Sequence, residues 1–289
     1  MKRWIAGWLA AMLLFGFSAC SMSINTQEPS TEPTTADPNA YPRVSLTAQE
    51  AHETLTDDEG NTVITVESRI PRLTAGLEEG KLNMMNHLFD SLRAEMRDRA
   101  VKNIKNAAAD LKRSGNGKPW LYKMDYTVTY ADAGFLCVLL VEQFSTMGNP
   151  KADPVYHTKM LDLLTGRVCP VTLFAYDNAD AAIARANIEE MIAQELRKNF
   201  RVNGAKAHEE EILRIAASFD EYTYWFMQDG TLVFPLDCSS VGESAGYLCR
   251  ISPATAETLF DTPLSYRRVQ ENNAKVTTAK ETTATQTAS

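Results

Sequence analysis

The stretch W120-LYKMDYTVTYADAGFLCVLLVEQ-F144 decides the fold. Trp120, Tyr122, Met124, Tyr126, Val128 and Tyr130 occupy every second position, the period of a half-buried strand. Ala131-Asp132-Ala133-Gly134 supplies a turn, and Phe135 to Phe144 follows as a more continuous apolar run that suits a central strand. Two long strands joined by so short a turn must pair antiparallel. The aromatic stripe has two readings, a surface for stacking carbohydrate or the face a sheet lays against a helix. The second is the commoner use of such a pattern.

A helix for that face stands just upstream. In KLNMMNHLFDSLRAEMRDRAVKNIKNAAADLKRSG (81–115), Leu82, Met85, Phe89, Leu92, Met96, Ile104 and Leu111 recur at helical spacing, and Gly115 supplies a stop. Before it, Ile64, Val66 and Ile70 alternate in a further strand. Downstream, VYHTKMLDLLTGRVCPVTLF (155–174) places two extended pieces around the turn Leu164-Thr165-Gly166-Arg167. Asp177 or Asp180 can cap a helix running to about Asn199, whose buried side carries Ile188, Met191, Ile192 and Leu196. A second helical stretch, HEEEILRIAASF, follows. Asp229-Gly230 marks a hairpin, GYLCRI a further strand, and Ser252 with Pro253 opens a short last helix. Neighbouring strands with tight turns and irregularly interleaved helices predict an α+β protein. Its mostly antiparallel sheet packs against a long helix, in two intimately associated subdomains.

The ends differ in kind. Lys2 and Arg3 precede an uncharged apolar run from Trp4 to Phe17, the length of a signal-peptide core. Phe17-Ser18-Ala19-Cys20 then resembles a bacterial lipobox, which implies cleavage before Cys20 and a lipid on its sulfur. The plainer reading is an ordinary secretory signal. Four prolines (29, 33, 38 and 42) among many Ser and Thr residues read as a tether. The expected organisation is a signal peptide over 1–19 and a tether over 20–57. Subdomains over 58–148 and 149–264 and a disordered tail over 265–289 complete it.

The chain carries 29 Lys and Arg against 37 Asp and Glu, a net charge of −8. Removal of Lys2 and Arg3 takes that from −8 to −10. Such a balance argues against a cationic groove for nucleic acid and favours a positively charged partner. Of five cysteines, four remain once Cys20 is set aside. Cys238 and Cys249 flank one loop and could face each other across a hairpin as a disulfide. Buried thiols are the equal alternative.

That loop, LDCSSVGESAGYLCRIS, also spells Gly242-Glu243-Ser244-Ala245-Gly246, the G-x-S-x-G of serine hydrolases. A nucleophile elbow needs a helix directly after the serine and a histidine further on. Here a strand follows, and His52, His87, His157 and His208 all precede Ser244. No histidine pair has metal-ligand spacing. No catalytic constellation, metal site or cofactor is expected.

The residues VITVESRIPRL, LNMMNHLFDSL and YKMDYTVTYADAGFLCVLLVEQF resemble a domain of unknown function. It occurs in RsiV-type anti-sigma factors and in PdaC-type peptidoglycan deacetylases. YHTKMLDLLTGRVCPVTLF and FMQDGTLVFPLDC…SAGYLCRISPATAETLF are similar to the companion RsiV-type domain. The resemblance covers about residues 60 to 262. It implies an extracytoplasmic region that binds lysozyme and has no catalysis of its own. One departure is visible: the family's Gly-Gly-Ala-His is missing from STMGNPKADPVYHT (145–158).

The sequence therefore predicts a lipid-anchored, non-catalytic binding or sensing protein of the cell envelope. Its ligand would be a cationic protein such as lysozyme, or a peptidoglycan component. An envelope hydrolase acting on glycans or esters, and a structural lipoprotein supporting a partner complex, are the competing classes. Candidate recognition positions are Met147, Asn149, Lys151, Asp153 and Tyr156 in one loop, with Glu243 and Tyr247 in the other.

Overall fold

The computed structural model describes residues 41–115, 117–132, 134–146, 149–150, 153–176, 180–200, 205–241, 244 and 246–260. The signal peptide, Cys20, most of the tether and the C-terminal tail lie outside them. So do candidate positions Met147, Lys151 and Glu243. The described residues, from Tyr41 to Phe260, belong to one compact unit.

The fold is α+β. Its main sheet runs in the order β1 (Ser45–Thr56), β2 (Thr62–Ala75), β3 (Trp120–Asp132), β4 (Phe135–Thr146), β6 (Val155–Asp162) and β7 (Arg167–Val168), with the short β5 (Asn149–Pro150) also on β4. Every pairing is antiparallel except β2 with β3. Helices α1 (Glu79–Lys102) and α2 (Ile104–Ser114) connect that parallel pair, because parallel neighbours cannot be joined by a hairpin. A second sheet of β8 (Trp225–Phe226), β9 (Leu232–Leu236) and β10 (Tyr247–Ile251) is antiparallel. Helices α3 (Ala181–Asn199) and α4 (Ala205–Ala217) pack on each other, and α3 lies on β10. The short α5 (Pro253–Ala256) is capped by the Ser252 hydroxyl.

Strand β4 feeds two cores because it is covered on both faces. Leu136, Val138 and Leu140 join Ile64, Val66, Met85, Phe89, Met96 and Met124 on the α1 side. Cys137 on the opposite face joins Met160, Ile188, Ile192, Val233 and Phe234. A strand buried on both sides reads as continuous apolar sequence rather than as alternation.

Three expectations are corrected. The tether does not reach residue 57, because Ser45–Thr56 is strand β1, paired along its length with β2. Most of β1 is exposed, with only Leu55 buried, so no apolar alternation announced it. The single long helix is two: Asn103 interrupts it at φ −98°, ψ 3°. The Asn103 amide donates to Arg99 O and to Tyr122 Oη, both at 3.0 Å, holding the break where a competing polar side chain disfavours helix. The aromatic stripe does not share one face throughout. Val128 is opposite Val138 but Tyr130 is opposite Cys137, so Thr129 is the extra residue of a β-bulge. The bulge carries Tyr130 across into the second core, while Trp120, Tyr122 and Met124 stay under the helices.

Candidate binding surface

The two loops singled out from the sequence meet. A Cβ at Gly246 would lie 3.2 Å from Asp153 Cβ and 3.6 Å from Pro154 O. β9 and β10 are antiparallel neighbours, with Tyr247 opposite Leu236, so the loop between them projects from one end of the small sheet. β6 enters the main sheet just after Asp153, which sets the other loop against it. Close approach is possible because Gly246 has no side chain.

Around this junction the partners are aromatic and charged. Tyr156 stacks on buried Trp225 with ring centroids 5.7 Å apart, and Tyr247 on Phe200 at 5.1 Å. Both tyrosines keep part of their surface in solvent. Burial pushes the Tyr156 phenol up; neighbouring Asp153 adds to that and Arg250 opposes it. Arg250 also lies 3.7 Å from Met227 Sδ. Asp153 is exposed, and Asn149 contributes backbone pairing to Thr146 through β5. A tyrosine backed by a buried tryptophan and flanked by both charges suits polar, amphipathic ligands.

Ser244 has no elbow geometry. Its hydroxyl accepts from Gly246 N–H at 2.9 Å, its carbonyl accepts from Cys238 N–H at 3.2 Å, and strand β10 follows directly. It closes a turn. The disulfide expectation is also corrected. Among the described residues none is formed, and Cys137, Cys169, Cys238 and Cys249 are buried thiols. In the β9–β10 ladder Cys249 stands opposite Phe234, and Cys238 lies beyond the paired residues. Burial pushes the Cys249 thiol up to about 12, with nearby Glu195 and Cys238 acting in the same direction.

One polar cluster escaped the sequence reading. Glu142 on β4 is 6% exposed, accepts from Arg99 of α1 and lies 3.2 Å from His157 Nε2 of β6. Burial alone would raise its carboxyl. The hydrogen bonds from His157 and Arg99 outweigh it and hold the group below its ordinary value. A glutamate inside FLCVLLVEQF, on the face of Leu136, Val138 and Leu140, is the signal that could have revealed it. The cluster ties the end of α1 to the strand that follows the Asp153 loop. No group of three or more potential metal ligands occurs among the described residues.

No family model and no curated protein matches the chain. Solved structures similar to it include two DUF3298 family proteins. A DUF3298 family protein from Bacteroides fragilis is 10% identical, with a TM-score of 0.45 over 76% of this chain and 95% of that one. A DUF3298 family protein from Pseudomonas aeruginosa is 12% identical, with a TM-score of 0.40 over 78% and 97%.

Proposed function

We propose that this protein is a non-catalytic binding or sensing protein of the bacterial cell envelope, held outside the cytoplasm by a lipid on Cys20. Its ligand is a cationic protein such as lysozyme, or a peptidoglycan component. The observation that carries the reading is the meeting of two sequence-distant loops at Gly246 and Asp153, beside the half-exposed Tyr156 and Tyr247. An acidic chain attracts a cationic ligand over a range set by ionic strength.

Calorimetry at low salt, with lysozyme and separately with soluble peptidoglycan fragments, tests the ligand. Binding that weakens with Asp153→Lys is the expected result for a cationic protein. No heat with either ligand, from folded protein, sinks the reading. Turnover of peptidoglycan or simple esters that disappears in Ser244→Ala would replace it with a hydrolase. The anchor has its own test: the wild-type chain should partition into detergent and Cys20→Ser should not.

A further inference from the structure

We propose that the outer edge of β1 is a dimerisation surface, pairing antiparallel with β1 of a second copy about a two-fold axis at Ala51. The inference does not depend on the ligand proposed above. Among the described residues β1 ends the main sheet, and β2 pairs with only one of its edges. No described strand pairs with the other edge of Ser45–Thr56, most of whose residues are exposed. Sheet edges are usually protected by proline, lysine, bulges or short length. This one has neither proline nor lysine, is 12 residues long, has register irregularities only at its two ends, and carries as charges the carboxylates Glu50 and Glu53, which the pairing must accommodate.

Symmetry restricts the register. A two-fold axis normal to a continuous sheet puts one residue opposite its own copy. With Glu50 on the axis, two carboxylates oppose each other, which is destabilising. With Gln49 or His52 on the axis, the overlap of the two strands shortens. With Ala51 on the axis, residues 46 to 56 overlap, and the central pair is small and neutral. Glu50 then stands opposite His52 of the other copy, and His52 opposite its Glu50. Gln49 stands opposite Glu53, a donor beside a carboxylate. No like charges lie directly opposite.

The side chains are available for this. Glu50 is 76% exposed and reaches Arg69 only at 3.9 Å, while His52 is 63% exposed and reaches Glu67 at 3.9 Å. Glu53 keeps its bidentate pair with Arg97, at 2.7 and 2.8 Å, on the helix side of the strand. Glu50, Ala51 and His52 also line an open groove of about 440 Å³ with Arg69, Lys123 and Asp125. Dimerisation would bring two such grooves together across the axis.

The register makes the test specific. Directly opposite residues have Cα atoms about 4.5–5.5 Å apart, within the span a disulfide bridges. In a Cys20→Ser background of the full chain, Ala51→Cys should cross-link to a covalent dimer at least about tenfold faster than Thr47→Cys, whose copies lie far apart. Equal rates, or no cross-linking at Ala51→Cys, would overturn the proposal. Sedimentation equilibrium supplies an independent arm. His52→Glu should weaken the dimer at least about tenfold by opposing Glu50, and adding Glu50→Lys should restore it. A wild-type chain that stays monomeric at millimolar concentration, or a double variant that is not restored, also refutes it.

Discussion

Glu142 shows how a single charge is kept inside this protein. A buried carboxylate is costly unless it is paired and hydrogen-bonded, and here Arg99 and His157 do both. Because its folded value is held below the ordinary 4.5, its stabilising contribution is complete above that value. That contribution is lost as the pH falls through the folded value. Glu142→Gln is therefore expected to cost about 1–3 kcal/mol at neutral pH. The gap from wild type should shrink as denaturation curves are taken toward about pH 3. A constant gap would show that the charge contributes nothing. Asn86 solves a different problem at the same scale. It is 4% exposed, and its side chain accepts from Leu73 N–H at 2.8 Å and donates to Leu73 O at 2.9 Å. These backbone groups lie beyond the point where β2 stops pairing with β3, at Ser68 and Met124. Asn86→Ala strands both groups and should lower stability by about 2–5 kcal/mol in urea titrations. Asn86→Asp, which keeps only the acceptor, should not recover it.

Elements in this fold are bounded by local chemistry at a few positions. Gly76, at φ +101°, closes the turn between β2 and α1. A Cβ there would lie 1.8 Å from Arg43 O, a backbone atom that cannot rotate away. Gly76→Ala should displace the segment entering β1, with a loss of more than about 2 kcal/mol and faster amide exchange at Leu46 and Thr47. Unchanged exchange there would contradict this. Asp180 caps α3 by accepting from Ala182 N–H at 2.9 Å and Ile183 N–H at 3.3 Å, and Asp180→Ala should cost about 1 kcal/mol in thermal melts. Arg185 holds the same helix to the segment before β8. It donates to Glu221 at 2.8 Å and to Ala217 O at 3.0 Å, and lies over the Phe219 ring.

At the scale of the whole molecule, β4 is the shared wall of two cores, and the four described cysteines all lie buried. Burial pushes the Cys137 and Cys249 thiols up to about 12, so almost no thiolate exists at neutral pH. Alkylation of the native chain should therefore be limited by unfolding, with all four sites reacting together as denaturant is added. Rapid labelling of Cys249 without denaturant would show that its neighbourhood opens locally. A Cys238–Cys249 bridge in non-reducing peptide maps would show a rearrangement of the β9–β10 loop.

Periodicity alone carried much of the architecture. The alternation at Trp120–Val128, the apolar run from Phe135, the helical spacing from Leu82 to Met96, the Asp229-Gly230 hairpin and the caps at Asp180 and Ser252 are local signals, and the chain obeys them. Strand β1 was not legible. Its stability comes from backbone pairing with β2, and few of its side chains record that pairing. The bulge at Thr129 and the break at Asn103 were hidden for a related reason, since each is set by what packs opposite. The candidate surface divides the same way. Both loops could be picked out by composition, but their meeting at Gly246 and Asp153, and the convergence of Arg99, Glu142 and His157, join residues far apart in the chain. Sequence determines what each segment prefers; only tertiary packing decides which segments share a wall, because that depends on contacts no local period encodes.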